Sequence, residues 1–261
     1  MNASGSVATG TFYRQQGSGR PVIFVHGLGL NHAMWHPYLE HFSSTYCCVA
    51  YDMLGHGRTL AYTPRRGLKD FVDQLHELIL HLDLSEVSIV GFSMGALIAG
   101  GYAVEHPDFV QSMVLVSGVA PRTDDERANV NKRVKALELG LYEQSAQAAV
   151  QRWFTETFRL ENSSTMAGIV ESLCANDPLS YLNCYRVFAS ADAEYFDALH
   201  FCPHPSLVIT GEFDSGSTPA MARALASAIP HASAVIAPGV KHMVPVEAKT
   251  FLTKELERFL E

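Results

Sequence analysis

Five consecutive residues, Gly91-Phe92-Ser93-Met94-Gly95, have the types and spacing that acyl-transfer chemistry asks of a serine nucleophile. They follow a short apolar run at 87–90 and precede a helical pattern, so the serine is expected on a strand–turn–helix. Such a turn brings strand and helix so close that a Cβ at either glycine would clash. It also holds the serine in a strained backbone conformation with Oγ projecting above the sheet. A hydroxyl needs a base, and the base needs an orienting acid. In this architecture the chain order is Ser, then Asp or Glu, then His. Asp214 closes Gly211-Glu212-Phe213-Asp214 after the apolar run 206–210. His242 lies in Gly239-Val240-Lys241-His242-Met243, past the run 234–236. Ser93, His242 and Asp214 are the expected nucleophile, base and acid. Glu212 sits two residues before Asp214, and the loop after 113–116 offers no carboxylate until Asp124.

Acyl transfer also needs donors where negative charge develops on the carbonyl oxygen. One should be the backbone N–H of Met94, next to the nucleophile. The other should be the N–H of Leu28, in Val25-His26-Gly27-Leu28-Gly29 after the first parallel strand. His26 is expected to brace that loop through hydrogen bonds. In Asp52-Met53-Leu54-Gly55-His56-Gly57 the aspartate is expected to cap backbone N–H groups of a structural turn and not to hold a metal. No metal or cofactor is expected: the five cysteines are scattered with no C-x-x-C spacing, and no histidine pair stands beside them at ligand spacing.

The elements that must position these residues alternate. Runs at 21–25, 87–90 and 206–210 read as buried parallel strands, and 47–51, 113–116 and 234–236 fit the same role. Between them, 68–82 places Phe71, Leu75, Leu78, Ile79 and Leu82 on one helical stripe, and 220–229 and 246–260 are further helices. This alternation predicts an α/β chain with a mostly parallel sheet flanked by helices. The pattern breaks over 120–202, where 125–141, 145–154 and 166–173 favour helix. A helical cap is expected there, over the sheet's carboxyl edge, with the α/β core formed by 1–119 and 203–261.

Composition bounds the partners. The chain has 261 residues, 48% hydrophobic and 18% charged, enough for a full-sized globular core. A formal net charge of −8 gives no basic surface for nucleic acid or an anionic membrane. The longest uncharged apolar stretch, 94–104, is too short to span a bilayer. The first ten residues lack the basic and apolar regions of a signal peptide, and the odd cysteine count suits reduced thiols. A cytoplasmic enzyme, monomer or homodimer, is expected.

Together, His26-Gly27-Leu28-Gly29, Asp52 with Gly55-His56-Gly57, Gly91 to Gly95, Gly211 to Asp214 and His242 resemble the α/β-hydrolase superfamily along the chain outside the cap. The serine sets the chain apart from the aspartate-nucleophile branches, the haloalkane dehalogenases and epoxide hydrolases. Met34-Trp35, Arg152-Trp153-Phe154 and Ser217-Thr218-Pro219-Ala220-Met221 resemble the 3-oxoadipate enol-lactonase group. Asn176-Asp177-Pro178, Tyr181 and Tyr185-Arg186-Val187-Phe188 resemble hydrolases of acylaminomethylene-succinates from pyridine-ring catabolism, the (E)-2-((N-methylformamido)methylene)succinate hydrolase group. Both groups imply a small anionic substrate, a dicarboxylate from ring cleavage, attacked through an acyl-enzyme. Such a substrate needs cations in the cap. Arg152 and Arg186, each set among aromatic residues, are the candidates, since a guanidinium holds a carboxylate bidentately. Arg122, Arg127, Arg133 and Arg159 read as solvated helix faces. Rival readings are a general carboxylesterase, a C–C bond hydrolase and a triad-bearing ligand receptor that turns over slowly.

Overall fold

The computed structural model describes residues 2–59 and 67–261. Eight strands form one sheet: β1 (Asn2–Ser6), β2 (Phe12–Gln16), β3 (Arg20–Val25), β4 (Tyr46–Tyr51), β5 (Val87–Phe92), β6 (Val110–Val116), β7 (Ser206–Gly211) and β8 (Ala232–Ala237). Their order is β1-β2-β4-β3-β5-β6-β7-β8. β1 and β2 pair antiparallel, as do β2 and β4, and all other neighbours are parallel.

The apolar runs of β3 to β7 became parallel strands because they are buried on both faces. Ile23 and Val25 of β3 enter one core cluster, while Val22 and Phe24 enter the other. The first cluster is closed by α2 (Leu68–His81), α3 (Met94–Glu105) and α9 (Pro219–Ala228); the second by α1 (His36–Phe42) and α11 (Lys249–Leu260). The chain runs from β3 outward to β4, then returns to β5 on β3's other side. This reversal opens a crevice at the carboxyl ends of β3 and β5, where open α/β sheets hold ligands.

Three features depart from the sequence expectation. β1 and β2 were not expected: β2 reads Phe-Tyr-Arg-Gln-Gln and β1 Asn-Ala-Ser-Gly-Ser, so neither has an apolar run to announce it. Their pairing is carried by backbone hydrogen bonds at the sheet edge. The helix expected at 246–260 is two, α10 (Val244–Glu247) and α11, broken where Ala248 leaves helical geometry at φ −123° and ψ 41°. The helix expected over 125–141 stops earlier, as α4 (Asp124–Glu138). There Gly140 turns left-handed at φ +79°, and the Leu141 and Gly140 N–H groups donate to Ala136 O and Leu137 O, the pairing of a Schellman C-cap.

Between β6 and β7 the chain is helical: α4, then α5 (Tyr142–Trp153), α6 (Glu156–Glu161), α7 (Ser163–Cys174) and α8 (Pro178–Ser190). No helix among the described residues is long and apolar enough to cross a membrane.

Candidate active site

Ser93 is the single residue between β5 and α3, at φ 54° and ψ −112°. For a residue with a Cβ this conformation costs about 1–3 kcal/mol, and such strain gathers at functional sites. The flanking glycines are fixed by backbone. A Cβ on Gly91 would lie 2.2 Å from Gly95 O, and one on Gly95 would lie 2.4 Å from Val25 O at the end of β3. The Ser93 N–H donates to Val116 O (2.8 Å), tying the turn to β6.

His242 reaches Ser93 from the loop after β8. Its Nε2 is 3.2 Å from Ser93 Oγ, and its Nδ1 is 2.7 Å from Asp214 Oδ2. With Nδ1 donating to the carboxylate, Nε2 is left to accept from the serine hydroxyl. The imidazole lies between the rings of Phe92 and Trp153, with centroids 5.1 and 5.9 Å away, and its backbone carbonyl accepts from Ser117 Oγ (2.9 Å). All three residues are buried.

Asp214 ends the turn after β7. Its Oδ1 accepts from the N–H groups of Gly216 (2.8 Å) and Ser217 (2.9 Å), which leaves Oδ2 to face His242. Burial pushes this carboxyl up, but His242 and the two amides outweigh it and hold it below the usual carboxylate range. Glu212 is occupied elsewhere, its Oε2 accepting from Gly239 N (2.8 Å).

The loop after β3 crosses in front of Ser93. The Leu28 N–H makes no hydrogen bond among the described residues. Met94 is the first residue of α3, where an N–H has no intrahelical acceptor. Both are therefore free to donate. Two histidines pin the loop. His26 Nδ1 donates to Gly27 O (2.8 Å) while its Nε2 accepts from Met53 N (2.9 Å). His56 Nδ1 donates to Leu54 O (3.0 Å) while its Nε2 accepts from Gly29 N (2.9 Å). Each ring must be neutral to accept, and burial lowers His26 to about 4 and His56 to about 3. Asp52 accepts from His32 N, His32 Nδ1 and Arg58 N, so Asp52 and His56 build the turn expected of them.

Above His242 and Asp214 lies a cavity of about 250 Å³. Its walls carry Trp153, Tyr181, Tyr185 and Phe188, with Lys132, Arg133 and Arg152 as its basic side chains and Asp214 as its one acid among the described residues. Arg152 lines it from α5 and makes no hydrogen bond or ion pair among the described residues; burial lowers its pKa, with Tyr185, Tyr181 and Asp214 acting against this.

Three arginines depart from the sequence expectation. Arg186 does not line the cavity. It lies on the outer side of α8, with Nη2 2.7 Å from Glu138 Oε1, and both side chains are about half exposed. Its neighbours Tyr185 and Phe188 fill the inner face, and one helical step of about 100° turns residue 186 outward. Arg133 is not a solvated face: it lines the cavity and its Nε donates to Tyr185 Oη (2.8 Å). The signal for it was present, since Val130, Val134 and Leu137 form a buried stripe on a polar helix and position 133 borders it. Arg122 is buried, paired with Asp192 (3.0 Å) beneath Phe188.

Comparison with known proteins agrees with this fold. (E)-2-((N-methylformamido)methylene)succinate hydrolase of Acinetobacter baylyi is 34% identical over 250 residues, covering 95% of this chain and 93% of that one. 3-Oxoadipate enol-lactonase 2 of the same organism is 27% identical, covering 81% and 78%. The crystal structure of the enol-lactonase of Burkholderia xenovorans superposes with a TM-score of 0.89 at 24% identity, covering 99% of each chain. The sequence profile of the alpha/beta hydrolase fold matches residues 20–249, and the chain belongs to this family.

Proposed function

We propose that the protein is a serine hydrolase that cleaves an ester, enol-lactone or enamide bond of a small dicarboxylate through an acyl-enzyme. The observation that carries this reading is the hydrogen-bonded line Ser93–His242–Asp214, of which His242 and Asp214 line a cavity that also holds Arg152, an arginine with no ion-pair partner among the described residues. In the first half-reaction Ser93 Oγ attacks the carbonyl carbon and its proton passes to His242 Nε2. Asp214 holds the imidazole in the accepting tautomer and stabilises the imidazolium. The Leu28 and Met94 N–H groups receive the oxyanion. His242 then hands the proton to the departing oxygen or nitrogen. In the second half-reaction water loses a proton to His242 and displaces Ser93.

The cavity supports an anionic substrate class. Its apolar and aromatic walls exclude water, so an unpaired guanidinium there gains more from a carboxylate than it would at the surface. Arg133, braced against Tyr185, offers a second cationic edge. Greater similarity to the acylaminomethylene-succinate hydrolase than to the enol-lactonase favours C–N over C–O cleavage. The test is a comparison of Arg152→Ala with wild type on an acylaminomethylene-succinate and on neutral p-nitrophenyl acetate. Loss of a charge-assisted contact worth about 1.5–3 kcal/mol predicts a fall in kcat/KM of about 10- to 100-fold on the anion alone. An equal loss on both substrates would contradict the anionic substrate class.

A further inference from the structure

Asn176 stands in the Asn-Asp-Pro segment between α7 and α8, outside the cavity and apart from the triad. Its Nδ2 lies 2.8 Å from Gly29 O, and also 3.0 and 3.1 Å from Ser172 O and Leu173 O at the end of α7. The latter two contacts cap a helix terminus. The first does something else, because Gly29 follows Leu28, the loop residue whose N–H faces the reacting carbonyl in the mechanism above.

The Gly29 residue is held from two sides. Its N–H donates to His56 Nε2 (2.9 Å) from the turn after β4, and its carbonyl accepts from Asn176 in the helical insertion. It also has no room to shift. Its φ is +79°, and a Cβ there would lie 2.5 Å from Leu173 and 2.9 Å from Tyr181. The Asn176 contact falls on the Gly29–Leu30 peptide, whose N–H, that of Leu30, donates to Gly27 O (3.1 Å). Gly27 O shares its peptide plane with the Leu28 N–H, so Asn176 reaches that donor through one intervening hydrogen bond.

We infer that Asn176 is a positioning residue for acyl transfer: through Gly29 O it sets the aim of the Leu28 oxyanion donor and couples the helical insertion to the reacting centre. This rests on the serine-hydrolase reading. It adds that the oxyanion site is complete only when the α7–α8 segment is seated on the loop after β3. Donors must meet the oxyanion within tenths of an ångström, so a released Gly29 peptide weakens the transition state and leaves ground-state contacts in the cavity intact.

The probe is diethyl p-nitrophenyl phosphate. Ser93 Oγ attacks phosphorus, the serine proton passes to His242, the bond to the aryl oxygen breaks and nitrophenolate leaves, with the phosphoryl oxygen in the oxyanion site. Asn176→Ala removes the donor. Asn176→Asp keeps the shape but sets a carboxylate against Gly29 O. Both should slow phosphorylation by about 10- to 100-fold. The kcat for p-nitrophenyl acetate should fall by a similar factor with KM unchanged within about twofold. Ser172→Ala is the control. It cuts the Asn31 Nδ2–Ser172 Oγ contact between the same two segments without touching Gly29, and should react like wild type. The inference is overturned if both Asn176 variants react within about twofold of wild type. It is equally overturned if Ser172→Ala slows as much, or if the slower rate only tracks a loss of folded protein by circular dichroism. A wild type that is not phosphorylated on Ser93 is a separate result, and overturns the hydrolase reading together with this one.

Discussion

At the scale of single residues, the site depends on which atom of each side chain is already committed. Asp214 gives Oδ1 to two backbone N–H groups and keeps Oδ2 for His242, while the Glu212 carboxylate is held by Gly239. Asp214→Asn would therefore have no nearby substitute. Its amide N–H would force Nδ1 to accept and place the imidazole proton on Nε2, where it cannot take the Ser93 proton. A loss in kcat on the order of 10⁴-fold is expected with an unchanged melting temperature, measured on any ester the wild type turns over. That Ser93, His242 and Asp214 meet was legible in the sequence, because loop order and strand ends place them. The cavity arginines were not, since one helical step separates inward Tyr185 from outward Arg186 and aromatic neighbours flank both positions. Only the tertiary partner decides: Arg186 meets Glu138, whereas Arg152 meets no acid within hydrogen-bonding distance among the described residues.

At the scale of elements, the turns do most of the positioning. Gly95→Ala drives a methyl group into the Val25 carbonyl at the end of β3, where backbone cannot yield cheaply. A destabilisation of about 3 kcal/mol or more is expected, read from the urea midpoint. The loops after β3 and β4 are joined by two neutral histidines, which gives stability a pH signature. His26 and His56 are lowered to about 4 and about 3, whereas the unfolded chain titrates near 6.5. Between those values the unfolded state binds protons that the native state refuses, so this stability is intact above about pH 6.5 and drains as pH falls. The slope approaches about 1.4 kcal/mol per pH unit for each histidine. His56→Gln, which can still accept from Gly29 through Oε1, should lessen that slope between pH 6 and pH 5 in urea titrations; an unchanged slope would contradict the assignment. Strands β3 to β7 were legible because double burial writes continuous apolar runs, and β8, half exposed at the sheet edge, by its short run at 234–236. β1 and β2 were not, because an edge pairing made by backbone leaves no trace in polar side chains such as Arg14, Gln15 and Gln16.

At the scale of the whole molecule, the sheet's reversal between β3 and β5 brings together segments far apart in sequence. Leu28 and Ser93 arrive on the loops at that crevice, Asp214 and His242 come from the far strands, and the helices between β6 and β7 supply the cavity wall. The chain's charge of −8 is inverted locally, with Lys132, Arg133 and Arg152 lining the same cavity as Asp214. The fold was therefore readable from motif order alone, and Ser93, His242 and Asp214 lie within hydrogen-bonding reach as that order implied. The character of the substrate pocket required knowing which faces of α4, α5 and α8 meet. Every step of the proposed mechanism passes through Ser93 as the covalent nucleophile. The most direct measurement is turnover of an acylaminomethylene-succinate by wild type and Ser93→Ala, followed by loss of conjugated absorbance. Intact mass should be recorded on the wild type quenched during turnover. A mass increase on the peptide containing Ser93, with turnover abolished in a fully folded Ser93→Ala, is the predicted result. Turnover at the wild-type rate in Ser93→Ala would contradict it.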